Sequence, residues 1–168
     1  ARLRNWVFDK VLSGDIVVEQ AVHVIDACNW YAQAHPVKAM GTGGREARVD
    51  VGDCWDLFMA HCWYPGRLKV DFSCEQFAKG FGDYCIRMYG SRGVADSHHA
   101  GVVNIVGENA WKGTGDQKDP TSLQGPITNV KNFVESLRTG KLLNNAAVSV
   151  ESTLSAILCA PRATAKPW

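Results

Sequence analysis

The fold is decided by residues 57–74, LFMAHCWYPGRLKVDFSC, in which two strand-like halves flank the dipeptide Pro65-Gly66. The first half, Leu57 to Tyr64, is apolar at both alternating sets of positions, which is typical of a strand covered on both sides of its sheet. The second half, Arg67 to Cys74, alternates polar and apolar residues, so one of its faces is wet. Proline and glycine favour a tight turn between the halves. We therefore predict a β-hairpin here.

Strand and helix signals continue outward from this hairpin. Further strands are predicted at residues 37–42, 84–89, 94–96 and 101–106. Helices are predicted at residues 16–33, with Asp15 as N-cap, and at residues 126–140 and 148–158. The helix at 126–140 carries an apolar stripe that requires a sheet to cover it. Because the strand connections are short, we predict an α+β fold with an open, predominantly antiparallel mixed β-sheet and helices packed on one face.

Length and charge limit the possible partners. The chain has 168 residues, so we expect one domain over residues 1–168. Eighteen basic and seventeen acidic residues give a net charge of +1, and the basic residues are scattered, so we expect no nucleic-acid partner. No apolar run approaches the ~20 residues that span a bilayer, and the first residues lack the apolar region of a signal peptide. We therefore expect no membrane partner and a cytoplasmic location.

The cysteines, histidines and glycines show no spacing of a known binding motif. Six cysteines occur without a C-x-x-C pair or a close cysteine–histidine cluster, which predicts no zinc site. Cys62 and Cys74 occupy apolar positions, which favours buried reduced thiols over disulfides. His98 and His99 lie in a turn-like segment and are expected to be solvated. The glycines of residues 41–44 do not form a phosphate-binding pattern.

Three ionisable residues share one face of the first predicted helix, because Glu19, His23 and Asp26 are spaced i, i+4 and i+7. Carboxylates one turn before and one turn after an imidazole can hold it as a general acid/base. Two alternatives stay open. The residues could form a solvated polar stripe, or two carboxylates and one histidine could bind iron or manganese. No other histidine has a spacing that completes the metal ligands, so no metal is predicted.

Aromatic and polar residues come together just before this helix. Indole faces can stack on sugar rings, although packing in a core is the usual role of a buried tryptophan. Trp6 is distinguished from the other tryptophans because Arg4 and Asn5 precede it directly. We therefore predict that Arg4, Asn5 and Trp6 bind the substrate.

Residues 6–26, WVFDKVLSGDIVVEQAVHVID, resemble the signature of the Gfo/Idh/MocA oxidoreductases, which runs W-R…G-G-G…D-x-G-x-H-x-x-D. The resemblance covers nearly the whole chain and continues at residues 35–39, 41–44, 52–53, 64–66, 89–93 and 152–158. It is a resemblance to the C-terminal α+β domain of that family. The N-terminal Rossmann domain, which holds NAD or NADP in the family, is expected to be absent from this chain.

The resemblance implies roles for individual residues. It implies that His23 is the acid/base toward a sugar or cyclitol hydroxyl and that Glu19 orients the imidazole of His23. It also implies that Asp26 has a structural role behind these two residues. Val7 replaces the arginine of the family pattern, and Asp15 interrupts its glycine run. NAD or NADP is implied for the complete enzyme, with no cofactor bound by this chain alone. A homo-oligomer formed through the open sheet face is also implied.

The predicted function is therefore the substrate-binding and oligomerisation domain of an NAD(P)-dependent oxidoreductase that acts on a sugar, cyclitol or related polyol. Such a domain is expected to be inactive without its Rossmann domain. Two alternatives stay open. One is a free-standing dimeric or ligand-binding sheet module without catalysis, and the other is part of an NAD-dependent glycosidase.

Overall fold

The computed structural model describes residues 3–76, 79–80, 82–99, 101–113 and 124–160. These residues form two compact units. The first unit extends to Gly82 and resumes at Ala146, and the second unit is Asp83–Asn145. Each unit contains an open antiparallel sheet together with helix, which confirms the predicted α+β class. The described strands belong to two sheets, and the assignment of residues 1–168 to one domain stays a prediction.

The described residues contain five α-helices, α1 to α5, at Lys10–Ser13, Ile16–Glu19, Val22–Ala32, Gln124–Thr139 and Ala146–Cys159. They also contain seven strands, β1 to β7, at Lys38–Gly44, Leu57–Trp63, Lys69–Glu75, Cys85–Gly90, Gly93–His98, Val103–Gly107 and Trp111–Lys112. A 3₁₀ turn over Trp6–Phe8 precedes α1. None of these helices is long and apolar enough to cross a membrane.

The predicted hairpin is confirmed as β2 and β3, which pair antiparallel, and β1 pairs with the other edge of β2. The first unit buries one face of β2, and its core consists of Ile16, Val17, Ala21, Ile25, Cys54, Phe58 and Ala156. On the opposite face of β2, Met59 is 45% exposed. The expectation that both faces of β2 are covered is therefore wrong for a single chain. Apolar residues on both faces of a strand do not ensure that another segment of the same chain packs against each face.

The helix predicted at residues 16–33 is divided in the structure. The backbone N–H groups of Gln20 and Ala21 both donate to the carbonyl of Ile16, so the hydrogen-bond pattern shifts by one residue between α2 and α3. The predicted start at Ile16 and the end near Ala32 are confirmed. The division was missed because Val17, Ala21 and Ile25 keep a helical spacing across it, and all three are buried.

Helix α5 covers the sheet of the first unit and contacts α2, α3, β1 and β2. Glycine in β1 permits this approach, since a Cβ on Gly41 would lie 3.0 Å from the carbonyl oxygen of Cys159. Two consecutive hydrogen bonds between buried side chains also hold α5 in place. The Tyr64 hydroxyl donates to the Asn29 side chain over 2.7 Å, and the Asn29 amide donates to the Ser155 hydroxyl over 3.1 Å. These bonds connect α3, α5 and the end of β2.

The second unit contains the sheet β4-β5-β6-β7, in which every neighbouring pair is antiparallel. The three strands predicted here are confirmed, whereas β7 was missed because two residues show no alternation. Helix α4 ends before Gly140, whose φ of +68° suits the predicted glycine cap. The apolar stripe of α4 consists of Ile127, Val130, Phe133, Val134 and Leu137. These residues are 39–64% exposed, so within the described residues no sheet buries the stripe as predicted.

Candidate functional site

The predicted site residues lie on three neighbouring elements of the first unit. Trp6 begins the 3₁₀ turn, Glu19 is the last residue of α2, and His23 lies in the first turn of α3. The 3₁₀ turn contacts α2, and α2 contacts α3. The structure thus brings the three elements together. It corrects the expectation that Glu19 and His23 share one continuous helix.

The loop before β2 fixes the position of the 3₁₀ turn. The carbonyl of Phe8 accepts hydrogen bonds from the backbone N–H groups of Asp53 (3.0 Å) and Cys54 (3.3 Å). Gly52 makes this approach possible, since its φ is +79° and an added Cβ would lie 2.0 Å from the Phe8 carbonyl oxygen. The Arg48 guanidinium lies 4.6 Å from the centre of the Phe8 ring. The loop therefore sets where Trp6 lies.

Asp56 holds this loop in place and was not identified from the sequence. Its buried carboxylate accepts three backbone N–H bonds, from Glu46 (2.7 Å), Ala47 (2.9 Å) and Arg48 (2.6 Å). Burial by itself raises the pKa of Asp56, but the three donors and the charge of Arg48 outweigh burial, so the pKa lies below its usual value. Asp56 is therefore a buried anion that organises the backbone.

A lysine, a carboxylate and an indole form a second group that the sequence did not reveal. Buried Asp15 accepts from the backbone N–H groups of Ile16 (2.8 Å) and Trp55 (3.0 Å). The Lys10 ammonium lies 3.0 Å from the other Asp15 oxygen and 4.6 Å from the centre of a Trp55 ring. Asp15 has a φ of +72°, a conformation that favours glycine. Lys10 and Trp55 together offer a cation and an aromatic face.

Glu19 and His23 are not hydrogen-bonded to each other. One carboxylate oxygen of Glu19, Oε2, is buried and has no hydrogen-bond partner within the described part of the chain. His23 is exposed. A buried carboxylate oxygen without a donor can accept a hydrogen bond from a bound hydroxyl, because an unsatisfied buried acceptor is costly. The orientation of His23 by Glu19 stays a prediction.

The remaining predicted residues differ in exposure. Asp26 accepts a hydrogen bond from the Ser152 hydroxyl of α5, and its supporting role in the site stays a prediction. Arg4 is exposed, Asn5 is half-buried, and Trp6 is 45% exposed. Arg4 and Trp6 are therefore accessible to a ligand from solvent, and their part in substrate binding stays a prediction.

His98 corrects two expectations from the sequence. It is the last residue of β5 rather than part of a turn, and its side chain is 28% exposed. Its two ring nitrogens each lie 3.0 Å from a carboxylate oxygen, of Asp83 and Asp96 respectively. Cys85 lies directly opposite His98 in the paired strands β4 and β5, so a cysteine–histidine pair exists that sequence spacing did not reveal. Strand register, not chain distance, places these residues together.

This chain resembles known proteins at the level of family and of fold. The family profile described as GFO/IDH/MocA C-terminal domain matches residues 2–96. The structure of UDP-N-acetylglucosamine 3-dehydrogenase GnnA from Acidithiobacillus ferrooxidans is similar, with a TM-score of 0.66 and 12% identity. Their similarity covers 89% of this chain and 48% of that protein.

A second similar structure is aldose-aldose oxidoreductase from Caulobacter crescentus, in complex with glycerol. Its TM-score is 0.64 at 12% identity, and the similarity covers 92% of this chain and 48% of that protein. No curated protein sequence matches this chain significantly. At such low identity the structural likeness shows the fold alone, and this chain spans about half the length of each of the two solved structures.

Proposed function

This chain belongs to the GFO/IDH/MocA family, whose C-terminal domain it matches over residues 2–96, and from this membership we propose that it is the substrate-binding part of an NAD(P)-dependent oxidoreductase acting on a sugar, cyclitol or related polyol. One observation carries the proposal: the matched range contains the 3₁₀ turn, α2 and α3, and hence Glu19 and the exposed His23. Two similar structures are named for redox reactions on a nucleotide sugar and on aldoses, which supports a sugar-like substrate.

The proposed chemistry on this chain is a proton transfer. His23 accepts the proton of a substrate hydroxyl, which requires its imidazole to come within about 3 Å of that oxygen. The buried Oε2 of Glu19 is available to accept a hydrogen bond from a neighbouring hydroxyl of the substrate. The exposed indole of Trp6 offers an apolar face to a sugar ring, and Arg4 offers donors to hydroxyl or phosphate oxygens.

The described residues do not fit a nicotinamide dinucleotide. Such cofactors bind at the carboxyl edge of parallel strands, where a glycine-rich turn leads into a helix. The described strands pair antiparallel, and Gly41, Gly43 and Gly44 lie within β1 rather than in such a turn. In the proposal, a separate Rossmann domain holds NAD or NADP. This chain contributes the proton acceptor and the substrate contacts.

The proposal includes a homo-oligomer and a cytoplasmic location. The open face of the β1–β3 sheet carries Met40, Met59 and Trp63, and both methionines are more than 40% exposed. Burying such a face against a second copy removes apolar surface from water. The cytoplasmic location is proposed from the sequence, in which the six cysteines are spread along the chain without a C-x-x-C pair.

The substrate class is tested by nuclear magnetic resonance of the histidine side chains. The chain is titrated with UDP-N-acetylglucosamine, glucose, myo-inositol and glycerol, and the imidazole signals of His23 and His35 are followed. We expect at least one polyol to shift the His23 signals while those of His35, which is bonded to Glu151, stay unchanged. The variants Arg4→Ala and Trp6→Ala should weaken this binding. If no polyol shifts the His23 signals, the proposed substrate class is wrong.

The role of His23 is tested after a Rossmann domain has been joined to the chain. His23→Asn should lower kcat by about 10²–10⁴-fold, since this is the usual contribution of a general acid/base. His35→Asn is the matched control and should leave kcat unchanged. An active fusion whose turnover survives His23→Asn would contradict the proposed role of His23.

A further inference from the structure

Three different metal-ligating side chains meet on one face of the second unit. Cys85 of β4 lies directly opposite His98 of β5, and directly opposed residues of antiparallel strands project to the same side. Asp83 lies two residues before Cys85. One donor atom from each of Asp83, Cys85 and His98 lies within 4.8 Å of the other two. A thiol, an imidazole and a carboxylate therefore converge, and they come from residues up to fifteen positions apart in the chain.

The spacing of these atoms is close to that of a tetrahedral zinc site. Zinc bonds of about 2.0–2.3 Å to oxygen, nitrogen and sulfur place neighbouring ligand atoms about 3.3–3.7 Å apart. The Cys85 sulfur lies 3.4 Å from Oδ2 of Asp83, and Nδ1 of His98 lies 3.0 Å from Oδ1 of Asp83. These two distances involve different oxygens of Asp83, and the three donor atoms as a set lie within 4.8 Å of one another. Side-chain rotation would close the remaining gap to the coordination distances.

The second ring nitrogen of His98 has the partner that metal-bound histidines usually have. Its Nε2 lies 3.0 Å from Oδ2 of Asp96, so Asp96 can accept the Nε2 proton and leave Nδ1 free for a metal. Metal sites frequently contain this carboxylate–histidine–metal arrangement, because the carboxylate orients the ring and makes it more basic. Nη2 of Arg87 also lies 3.4 Å from Nε2, whereas Nδ1 lies beside Asp83, so Nδ1 is the ligand atom of His98 in the proposed site.

Within the described residues, Arg87 is the arginine that contacts the members of this cluster. Its Nε lies 3.0 Å from Asp96 and its Nη2 lies 3.0 Å from Asp83. With His98 neutral and Cys85 protonated, the two carboxylates and Arg87 carry a net charge of −1. Binding of a divalent cation with loss of the Cys85 proton makes the cluster neutral. Arg87 can keep its contact with Asp96 while Asp83 turns to the metal.

We infer that Asp83, Cys85 and His98 form a binding site for one Zn²⁺ per chain. The combination of thiolate, imidazole and carboxylate suits zinc rather than magnesium or calcium, which prefer oxygen ligands alone. Three protein ligands leave a fourth position open to water or to a small ligand. The site lies in the second unit, and the inference does not rest on the proposed oxidoreductase function.

The inference is tested on the full chain with Zn²⁺ and with Co²⁺ as a spectroscopic substitute. After removal of metal by a chelator, incubation with Zn²⁺ and desalting, elemental analysis should find one zinc per chain. Co²⁺ should give a thiolate-to-cobalt charge-transfer band and the visible bands of a four-coordinate ion. Failure of the unmodified chain to retain zinc and to show the charge-transfer band would overturn the inference.

Two pairs of variants locate the metal. Cys85→Ser should remove the charge-transfer band, and His98→Gln should lower the affinity for Zn²⁺ at least tenfold. Cys74→Ser and His99→Gln are matched controls, since Cys74 lies on β3 and the His99 ring packs on Tyr84. Asp96→Asn should weaken binding by about 10–100-fold. Zinc binding that survives both Cys85→Ser and His98→Gln, in variants with an unchanged circular dichroism spectrum, would contradict the proposed ligands.

Discussion

Two buried carboxylates, Asp15 and Asp56, organise the backbone around the candidate site. Each accepts hydrogen bonds from more than one backbone N–H group, which is a strong arrangement because the acceptor is charged. Asp15 starts α2 and holds Lys10 beside Trp55. At the scale of residues, the backbone around the candidate site is therefore held by two buried anions.

Asp56 makes the stability of the chain sensitive to acid. Its pKa is lower in the folded chain than in the unfolded chain, so it binds its proton more weakly when folded. Its contribution to stability is therefore fully present above the unfolded pKa of about 3.9, and it is lost as the pH falls through the lower folded value. The acid-sensitive range lies below about pH 4.

Asp56→Asn should lower the free energy of unfolding at pH 7 by about 1–3 kcal/mol, because a single amide oxygen replaces a charged acceptor of three N–H groups. The difference between wild type and variant should become smaller at pH 3. Urea denaturation at both pH values measures this. The control Asp50→Asn changes an exposed carboxylate of the same loop and should have little effect at either pH. An equal loss of unfolding free energy at both pH values would contradict the lowered pKa of Asp56.

At the scale of elements, buried polar bonds between α3, α5 and the end of β2 accompany the apolar packing. Burial raises the pKa of Tyr64 well above its usual value, so its hydroxyl stays a donor to Asn29. The bond from Asn29 to Ser155 joins residues that are 126 positions apart. Buried polar bonds of this kind specify one docking position of α5, since any other position would leave the groups unsatisfied.

Tyr64→Phe should lower the free energy of unfolding by about 1–3 kcal/mol, because the acceptor oxygen of Asn29 stays buried without its donor. We also expect faster hydrogen exchange of the α5 amides, since α5 loses part of its attachment. Chemical denaturation and hydrogen exchange measure the two effects. Tyr89→Phe is the matched control, because Tyr89 is 78% exposed on β4. Unchanged exchange in α5 would show that the polar bonds do not hold this helix.

At the scale of the whole molecule, apolar side chains remain exposed on the β1–β3 sheet. Met59 lies opposite Thr42 and Ser73 in the register, so these three side chains share the open face. The buried face of the same sheet packs under α5. A chain that leaves one sheet face open has a surface for a second copy, and this is the surface that we propose for the homo-oligomer.

Met59→Lys should weaken dimerisation at least tenfold, because a charge would have to be buried in the interface; tenfold corresponds to about 1.4 kcal/mol. Sedimentation equilibrium over a range of concentrations measures the dissociation constant. Val49→Lys introduces the same charge at an apolar residue that is 94% exposed in the loop before β2, and it should leave the constant unchanged. A wild-type chain that stays monomeric at high concentration would exclude this interface.

The sequence by itself determined the features that depend on neighbouring residues. These are the hairpin of residues 57–74, the start of α2 at Ile16, the glycine cap after α4 and the family signature around His23. Alternation, capping and turn preferences act over a few residues, so they can be read without knowledge of the fold.

Only the tertiary structure decided which distant residues meet. The shift between α2 and α3 is invisible in the apolar pattern, because the buried positions keep their spacing across it. The three N–H bonds to Asp56 depend on the path of a loop, and the meeting of Cys85 with His98 depends on strand register. Such contacts arise from packing and pairing between segments, and the local residue pattern does not encode which partner each segment will find.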